Sequence, residues 1–205
     1  MLACIDLEGV LLPEIWIKFA EKTGIEELKL TTRDIPNYED LMQGRLNILK
    51  QHNLKLNDIE LVIKTLSPLE GAQDFFKWLN SEFQVIVLSD TFYQFVGPLM
   101  KQLDYPTLFC HNLVVESNGE ISGYRLRQKD QKTKAVKALQ GLNLQVISAG
   151  DSYNDTGMLQ QADAGIFFCP PKKLITEFPQ FPVATDYIQF KNLFLKSRNS
   201  LVKVS

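Results

Sequence analysis

The sequence has few of the residues that build disulfide frameworks or histidine-based metal sites. Its 205 residues include three cysteines, Cys4, Cys110 and Cys169, and two histidines, His52 and His111. An odd number of scattered cysteines, all set in apolar runs, argues against disulfides and a zinc site and predicts reduced core thiols. Two histidines are too few for a histidine-based metal cluster.

A strong charge bias and a long apolar segment are also missing. The formal net charge is -2 and the pI is near 5.8, so the composition carries no basic footprint for nucleic acid. No apolar run approaches the ~20 residues of a membrane helix. The N-terminus lacks a basic region and its apolar run ends at Asp6, unlike a signal peptide. We therefore expect a cytoplasmic enzyme with no nucleic-acid or membrane partner; whether it forms a homodimer stays open.

Short apolar runs rich in Val and Ile recur along the chain and predict strands that are buried on both faces. The strongest runs and two weaker candidates cover residues 2–6, 84–89, 145–149, 164–168, 107–110 and the surroundings of Val183. Helical periodicity lies between them, over 72–82 and 133–140. Alternating strands and helices predict an α/β fold with a doubly wound parallel (Rossmann-like) sheet, whose functional residues lie at the carboxyl ends of the strands.

Two segments interrupt this alternation. Helical periodicity over 13–21, 38–51 and 57–65, with Asn57 as an N-cap, predicts a helical cap inserted after the first strand. We accordingly divide the chain into an α/β core, residues 1–12 and 68–205, and a cap, residues 13–67.

The second interruption is a hairpin signal. Asn118-Gly119 separates the alternating segments 113–115 and 121–126, which predicts a β-hairpin flap near the edge of the sheet. The last ten residues, 196–205, are expected to form a frayed tail.

The first strand ends in two carboxylates, Asp6 and Glu8. An ionised group on a buried strand needs a partner or a metal. Residues two apart on an extended segment face the same way, so both acids can serve one pocket. One would be a nucleophile or metal ligand and the other a proton carrier.

Polar groups also follow the other strong strands. Ser89-Asp90-Thr91 ends the second, and the run Gly150–Asp155, which includes Asp151 and Asn154, follows the third. Lys132 opens a helix between them. Each residue alone is readily explained as a cap or a solvated charge, but the carboxyl ends of parallel strands converge, so we expect one site.

In this order, the residues Asp6/Glu8, Ser89, Lys132 and Asp151/Asp155 resemble the four motifs of the haloacid dehalogenase-like superfamily of phosphohydrolases. Within it, the helical insert, the segment 68–71 and the hairpin resemble phosphoserine phosphatases. The chain is similar to a subgroup of bifunctional phosphoserine phosphatase/phosphoserine:homoserine phosphotransferases. That likeness lies in residues 6–11, 13–14, 31–36, 88–93, 150–156 and 177–182.

The resemblance implies a Mg²⁺-dependent phosphoserine phosphatase that acts through an aspartyl-phosphate and also transfers the phosphoryl group to homoserine. Asp6 is the implied nucleophile. Asp6, Asp151 and the main-chain carbonyl of Glu8 are the implied Mg²⁺ ligands, with Asp155 supporting them from outside the ligand set. Lys132 would offset negative charge, and the Glu8 carboxyl would act as general acid and base.

Substrate binding is expected from two groups of residues. Ser89, Asp90 and Asn154 lie on the phosphate side. In the cap, Arg45 suits a bidentate grip on the substrate carboxylate, and Glu14 can accept from its ammonium. Arg33 is a less favoured carboxylate partner.

The chain departs from the family pattern at three positions. Most family phosphatases have Asp where it has Glu8, and a small hydroxyl residue where it has Gly9. We hypothesise that the longer Glu8 side chain changes how well water is activated, which leaves the aspartyl-phosphate available to an alcohol. Asp90, where many relatives have Gly, is a departure whose effect the sequence does not reveal.

Alternative functions stay open. The nearest is a phosphatase for another small phosphomonoester. A dehalogenase is disfavoured because that chemistry needs no metal, whereas Asp151 and Asp155 are retained. A phospho-receiver signalling domain also phosphorylates an Asp on a doubly wound sheet, but it would be shorter and would lack the helical insert.

Overall fold

The structure is a computed structural model that describes residues 1–32, 34–35 and 37–202. A seven-stranded sheet forms its centre, in the order β4-β3-β2-β1-β5-β6-β7. The strands are β1 (Leu2–Ile5), β2 (Gln84–Phe92), β3 (Leu108–Val115), β4 (Ile121–Arg125), β5 (Val146–Gly150), β6 (Ala164–Phe168) and β7 (Val183–Ala184). Neighbouring strands are parallel except for the β3–β4 hairpin, so the predicted mainly parallel sheet with a hairpin at its edge is confirmed.

Nine α-helices surround the sheet in the described part of the chain. They are α1 (Ile15–Thr23), α2 (Tyr38–Gln51), α3 (Leu56–Ile63), α4 (Ala72–Glu82), α5 (Tyr93–Gln102), α6 (Gln131–Gln140), α7 (Thr156–Gln161), α8 (Lys172–Glu177) and α9 (Tyr187–Val202). Short 3-10 helices cover Glu26–Lys29 and Tyr153–Asp155. Over the described residues, every helix is too short or too polar to cross a lipid bilayer.

The central strand β1 is covered on both faces. Ala3 and Ile5 belong to one apolar cluster, which includes residues of α4 and α9. Leu2 and Cys4 belong to a second cluster, which includes residues of α6 and α7. This alternation is what a strand between two helical layers requires, because successive side chains point to opposite faces.

The register of β1 places the ends of three strands side by side. Ile5 lies opposite Val87 of β2 and Ala149 of β5. The residues that follow these positions therefore leave the sheet at one edge, where the polar groups predicted from the sequence are found.

Helices α1 to α3 form the insert between β1 and α4. Asn37 caps α2, since its Oδ1 accepts from the main-chain N–H groups of Glu39 and Asp40 at 2.9 and 3.3 Å. Phe19 and Ile59 are fully buried in the apolar cluster that also reaches α5 and the sheet. The insert is thus packed directly on the rest of the molecule.

The structure corrects several local predictions. Helix α3 starts before Asn57, and it is Asp58 that accepts from the main-chain N–H of Lys55, at 2.7 Å. The strands predicted over 107–110 and 113–115 form one continuous strand, β3, which begins at Leu108. Of the expected frayed tail, residues 196–202 are helical, because Phe190 and Phe194 anchor α9 in the core. Residues 203–205 lie outside the described part of the chain. Cys169 is exposed, whereas Cys4 and Cys110 are buried as expected.

Candidate active site

Three carboxylates meet at the edge of the sheet defined by the ends of β1 and β5. One oxygen from each of Asp6, Asp151 and Asp155 lies within 4.8 Å of the other two, and all three residues are buried. The ammonium of Lys132, at the start of α6, lies 2.8 Å from Oδ1 of Asp6 and 2.7 Å from Oδ1 of Asp155. The sequence-predicted convergence of these four residues is therefore present.

The cluster carries more negative than positive charge. Burial, followed by the charges of Asp155 and Asp151, raises the pKa of Asp6 well above its usual value, although Lys132 opposes this. Burial lowers the pKa of Lys132, but the surrounding carboxylates outweigh burial and hold it well above its usual value. Three carboxylates facing one ammonium leave a need for further positive charge.

A divalent cation that prefers oxygen ligands fits this need. Asp155 is already engaged, since its Oδ2 accepts from the main-chain N–H groups of Asp151 and Ser152 at 3.1 and 3.0 Å. The backbone at Gly9, with φ +80°, approaches Asp151 so closely that a Cβ there would lie 2.5 Å from Oδ2. In this structure the close approach and the positive φ therefore both disfavour a side chain at position 9.

Glu8 lies beside the cluster with its carboxylate partly buried. Its Oε1 accepts a hydrogen bond of 2.8 Å from the main-chain N–H of Ile15. Burial and the neighbouring Glu14 raise the pKa of Glu8 to about 7, although the Ile15 amide and Arg45 lower it. A carboxyl that titrates near neutrality can both give and take a proton at that pH.

An inner cavity of about 80 Å³ connects the cluster to the helical insert. Its walls include all the sequence-predicted site residues except the two acids of the β5 turn: Asp6, Glu8, Glu14, Arg45, Ser89, Asp90, Lys132 and Asn154. Arg33 lies outside the described residues, so its predicted role is not addressed by the structure.

Arg45 is held at the wall of the inner cavity as a buried cation. It is 8% exposed, its Nη2 donates to the carbonyl oxygen of Leu30 at 2.8 Å, and its guanidinium lies 4.6 Å over the Trp16 ring. Burial lowers its pKa to about 10, while Tyr38 and Glu8 oppose the shift. The Nε atom is buried and has no hydrogen-bond partner among the described residues.

A larger outer cleft of about 1120 Å³ adjoins the inner cavity. It lies between α2, strand β4 and the start of α6. Five residues line both spaces: Thr32, Tyr38, Asp90, Lys132 and Asn154. The hydroxyl of Tyr38 donates to the carbonyl oxygen of Asp90 at 3.1 Å, which connects the insert to the end of β2.

Sequence reasoning missed several polar residues around this site. Gln131, directly before Lys132, donates from Nε2 to the carbonyl oxygen of Ser89. His111 and Tyr38 complete the surroundings of Asp90. The position of Gln131 next to Lys132 was a usable signal, whereas His111 and Tyr38 reach the site only through the pairing of β3 and the packing of α2.

The sequence matches a family model over residues 1–163, described as haloacid dehalogenase-like hydrolase. The chain belongs to the haloacid dehalogenase-like hydrolases. Phosphoserine phosphatase ThrH of Pseudomonas aeruginosa is 59% identical over 196 residues, which cover 96% of each chain. Phosphoserine phosphatase of Pseudomonas syringae pv. tomato is 57% identical over 198 residues, 97% of this chain and 84% of that protein.

Solved structures of phosphoserine phosphatases share the fold. A substrate-bound phosphoserine phosphatase complex superposes with a TM-score of 0.74 at 21% identity, covering 94% of this chain and 97% of that one. A phospho-aspartyl intermediate analogue of phosphoserine phosphatase gives a TM-score of 0.71 at 24% identity, with 89% and 91% covered. At these identities the likeness supports the fold alone.

Proposed function

We propose that this hydrolase is a Mg²⁺-dependent phosphoserine phosphatase that acts through an aspartyl-phosphate on Asp6 and also transfers the phosphoryl group to homoserine. The observation that carries the proposal is the contact between Lys132 and Asp6, 2.8 Å apart in a buried acidic cluster beside the cavity lined by Arg45. Sequence relatives named phosphoserine phosphatase, which match over almost the whole chain, support the substrate.

Asp6 is the nucleophile in the first half of the reaction. One of its carboxylate oxygens attacks phosphorus, the bond from phosphorus to the serine oxygen breaks, and that oxygen takes a proton from Glu8. Lys132 offsets the charge that would otherwise keep two anions apart, and Ser89 binds a phosphate oxygen. The pKa of Glu8 near 7 suits the proton donor in this step.

Water completes the reaction in the second half. Its oxygen attacks phosphorus, its proton goes to the Glu8 carboxylate, and the bond from phosphorus to Asp6 breaks. Phosphate leaves, and Asp6 is again a carboxylate. With homoserine in place of water, the hydroxyl oxygen attacks in the same way and phosphohomoserine leaves.

Asp6, Asp151 and the main-chain carbonyl of Glu8 would hold the Mg²⁺ ion, with Asp155 fixing the β5 turn through its hydrogen bonds to main-chain N–H groups. When bound, the ion supplies positive charge next to the phosphoryl oxygens. The excess of carboxylates over ammonium in the cluster supports this assignment.

The amino-acid end of phosphoserine binds in the inner cavity. The buried guanidinium of Arg45 faces the substrate carboxylate, and Glu14 receives the ammonium. Asp90 and Asn154 line the phosphate side of the same cavity. Residues 13–67 act as the cap of this site and residues 1–12 with 68–205 as the core.

One incubation tests the hydrolysis and the transfer activity together. The purified protein receives phosphoserine and Mg²⁺, with and without homoserine, and phosphorus NMR identifies the products. We expect inorganic phosphate in both samples and phosphohomoserine in the second. Phosphate alone in both samples would remove the transfer activity. In a parallel assay with other small phosphomonoesters, hydrolysis of one of them in preference to phosphoserine would favour the broader phosphatase.

The role of Glu8 in transfer has its own test. In Glu8→Asp we expect a larger share of the phosphoryl group to pass to water, because a shorter side chain restores the residue found in most family phosphatases. An unchanged ratio of phosphate to phosphohomoserine would remove Glu8 as the cause of transfer.

A further inference from the structure

The carboxylate of Asp90 lies where four segments of the chain meet. Its Oδ1 accepts a hydrogen bond of 3.1 Å from Nε2 of Gln131 and lies 3.4 Å from Nε2 of His111. Its Oδ2 accepts a hydrogen bond of 2.9 Å from Nδ2 of Asn154 and lies 3.9 Å from Nζ of Lys132. These partners come from β3, from the start of α6 and from the turn after β5. Asp90 therefore joins the end of β2 to three other elements of the site.

Arg127 fixes the direction of two of these donors. Its main-chain N–H donates to Nδ1 of His111 at 3.1 Å, so the ring proton is on Nε2, which faces Asp90. Its guanidinium Nε donates to Oε1 of Gln131 at 3.1 Å, so the amide NH₂ of Gln131 points away from Arg127. That NH₂ donates to Asp90 and to the carbonyl oxygen of Ser89. Arg127 thus orients both the His111 ring and the Gln131 amide with respect to Asp90.

A chain of contacts leads from Asp90 back to Lys132. Oδ1 of Asn154 contacts Oγ of Ser152, and the main-chain N–H of Ser152 donates to Oδ2 of Asp155 at 3.0 Å. The other oxygen of Asp155 accepts from Lys132 at 2.7 Å. On the opposite side, the residue directly before Lys132 donates to Asp90. The ammonium is consequently held by a closed ring of contacts that includes Asp90.

We propose that Asp90 is a positioning residue that holds Lys132 and Ser89 in the relative positions needed for phosphoryl transfer. It acts by accepting hydrogen bonds from the amides of Gln131 and Asn154 and by facing the ring Nε2 of His111, and these groups belong to different segments. The inference rests on the proposed function and goes beyond the substrate contact expected for Asp90. A Ser-Gly pair, found in many relatives, offers no side-chain acceptor here, so relatives with that pair cannot hold these groups in the same way.

An exchange of the two facing side chains tests the proposal. In Asp90→Asn, the single amide oxygen can face either Asn154 or the side chains of His111 and Gln131, but not both. On the other side, the new NH₂ group therefore faces another hydrogen-bond donor. In the double variant Asp90→Asn with Asn154→Asp, the new amide oxygen at position 90 accepts from Gln131 and His111, and the new NH₂ donates to the carboxylate at position 154. The hydrogen bonds are thus restored, and donor and acceptor are exchanged only in the bond between positions 90 and 154.

The expected result is a loss in kcat that the exchange reverses. With phosphoserine and Mg²⁺, we expect Asp90→Asn to lower kcat about 10- to 100-fold and to change KM by less than about threefold, since displacement of catalytic groups affects the chemical step. The double variant should recover kcat to within about fivefold of the wild type. Asn154→Asp alone should lose activity, because two carboxylates then face each other.

Asp163→Asn is the matched control. The Asp163 carboxylate also accepts from a side-chain amide, that of Gln140 at 3.1 Å, and from the main-chain N–H of Val146, at the opposite edge of the sheet. We expect its kcat and KM to equal those of the wild type. Circular dichroism confirms that each variant is folded.

A second pair of variants covers the case in which Asp90→Asn does not fold. His111→Gln keeps a nitrogen donor toward Asp90, whereas His111→Leu removes it, so kcat should fall in the leucine variant alone. A folded Asp90→Asn with wild-type kcat, or a double variant no better than Asp90→Asn, would overturn the positioning role.

Running every assay with p-nitrophenyl phosphate as well separates the two proposals. Wild-type activity on this ester but not on phosphoserine would contradict the proposed substrate, and the exchange would still decide the role of Asp90. Wild-type protein inactive on both esters would overturn both proposals.

Discussion

Nζ of Lys132 lies 2.8 Å from Oδ1 of Asp6, and both side chains are almost completely buried. The attacking carboxylate of the proposed reaction is thus paired before any substrate arrives. A single ammonium serves Asp6 and Asp155 together, and the ionisation of each group depends on the others. Removing one member of this cluster leaves uncompensated buried charge, and this dependence leads to the first prediction.

Lys132→Met should lower kcat at least about 100-fold, because the ammonium offsets charge where it develops in the transition state. It should also lower the free energy of unfolding by about 3–5 kcal/mol, since two buried carboxylates lose their partner. Steady-state kinetics and urea unfolding measure the two effects. Lys134→Met, an exposed lysine on the same helix, is the matched control and should change neither. A Lys132→Met enzyme of wild-type activity would exclude Lys132 from the reaction.

Arg45→Ala should raise KM for phosphoserine by about 10- to 100-fold, the expected cost of losing a charged hydrogen-bond donor to a carboxylate. The same variant should hydrolyse p-nitrophenyl phosphate as the wild type does, because that ester has no carboxylate. The KM of Arg45→Lys for phosphoserine should lie between those of the wild type and Arg45→Ala, since lysine keeps the charge and loses the planar donor pair. An equal loss of activity on both esters would show that Arg45 supports the fold of the site rather than recognition of the substrate carboxylate.

Gly9→Ala should reduce both stability and activity. A Cβ at this position would lie 2.5 Å from Oδ2 of Asp151, and the φ of +80° costs a non-glycine residue about 1–2 kcal/mol. Gly44→Ala is the matched control, since nothing lies within 4 Å of a Cβ there and Gly44 is inside helix α2. We expect that change to be neutral or to stabilise by up to about 1 kcal/mol. Thermal unfolding measures the stability of each variant, and kcat measures its activity. Full activity in Gly9→Ala would contradict the close packing against Asp151.

The contribution of Asp90 to stability should depend on pH. Burial raises the pKa of Asp90, but Lys132 and hydrogen bonds from His111, Asn154 and Gln131 outweigh burial and hold it well below its usual value. Because the folded-state pKa is depressed, the ionised group stabilises the fold above the unfolded-state pKa of about 3.9, and this stabilisation is lost as the pH falls further. The difference in unfolding free energy between wild type and Asp90→Asn should therefore shrink from about pH 5 toward pH 3. A difference that stays constant in urea titrations across this range would contradict the depressed pKa.

The sheet was predictable because strands buried on both faces give continuous apolar runs. Strand β6 was predicted with its observed bounds, and α2 and α4 likewise. The end of β2 was not predicted, since the polar residues 89–91 interrupt its apolar pattern and a register shift against β3 follows Leu88. Helix α5 was missed because Gly97 and Pro98 interrupt its pattern. The end of β2 and helix α5 thus depend on contacts between residues that are far apart in the sequence.

The part of the site that lies in short sequence motifs was predictable. Asp6, Asp151 and Asp155 follow apolar strands, so parallel-strand geometry alone predicts that they meet. The contact between Asp90 and His111 could not be found in this way. His111 sits within an apolar strand and reaches Asp90 because β3 neighbours β2, a pairing that no local pattern specifies.

Trapping the covalent intermediate tests the central claim most directly. The protein is mixed with phosphoserine and Mg²⁺ for a short interval and quenched in acid, and mass spectrometry locates any added phosphoryl group. We predict one phosphoryl group on Asp6, absent from the Asp6→Asn variant and lost when the acyl phosphate is treated with base. Turnover of phosphoserine with the label on another residue, or in Asp6→Asn at the wild-type rate, would contradict a reaction through Asp6.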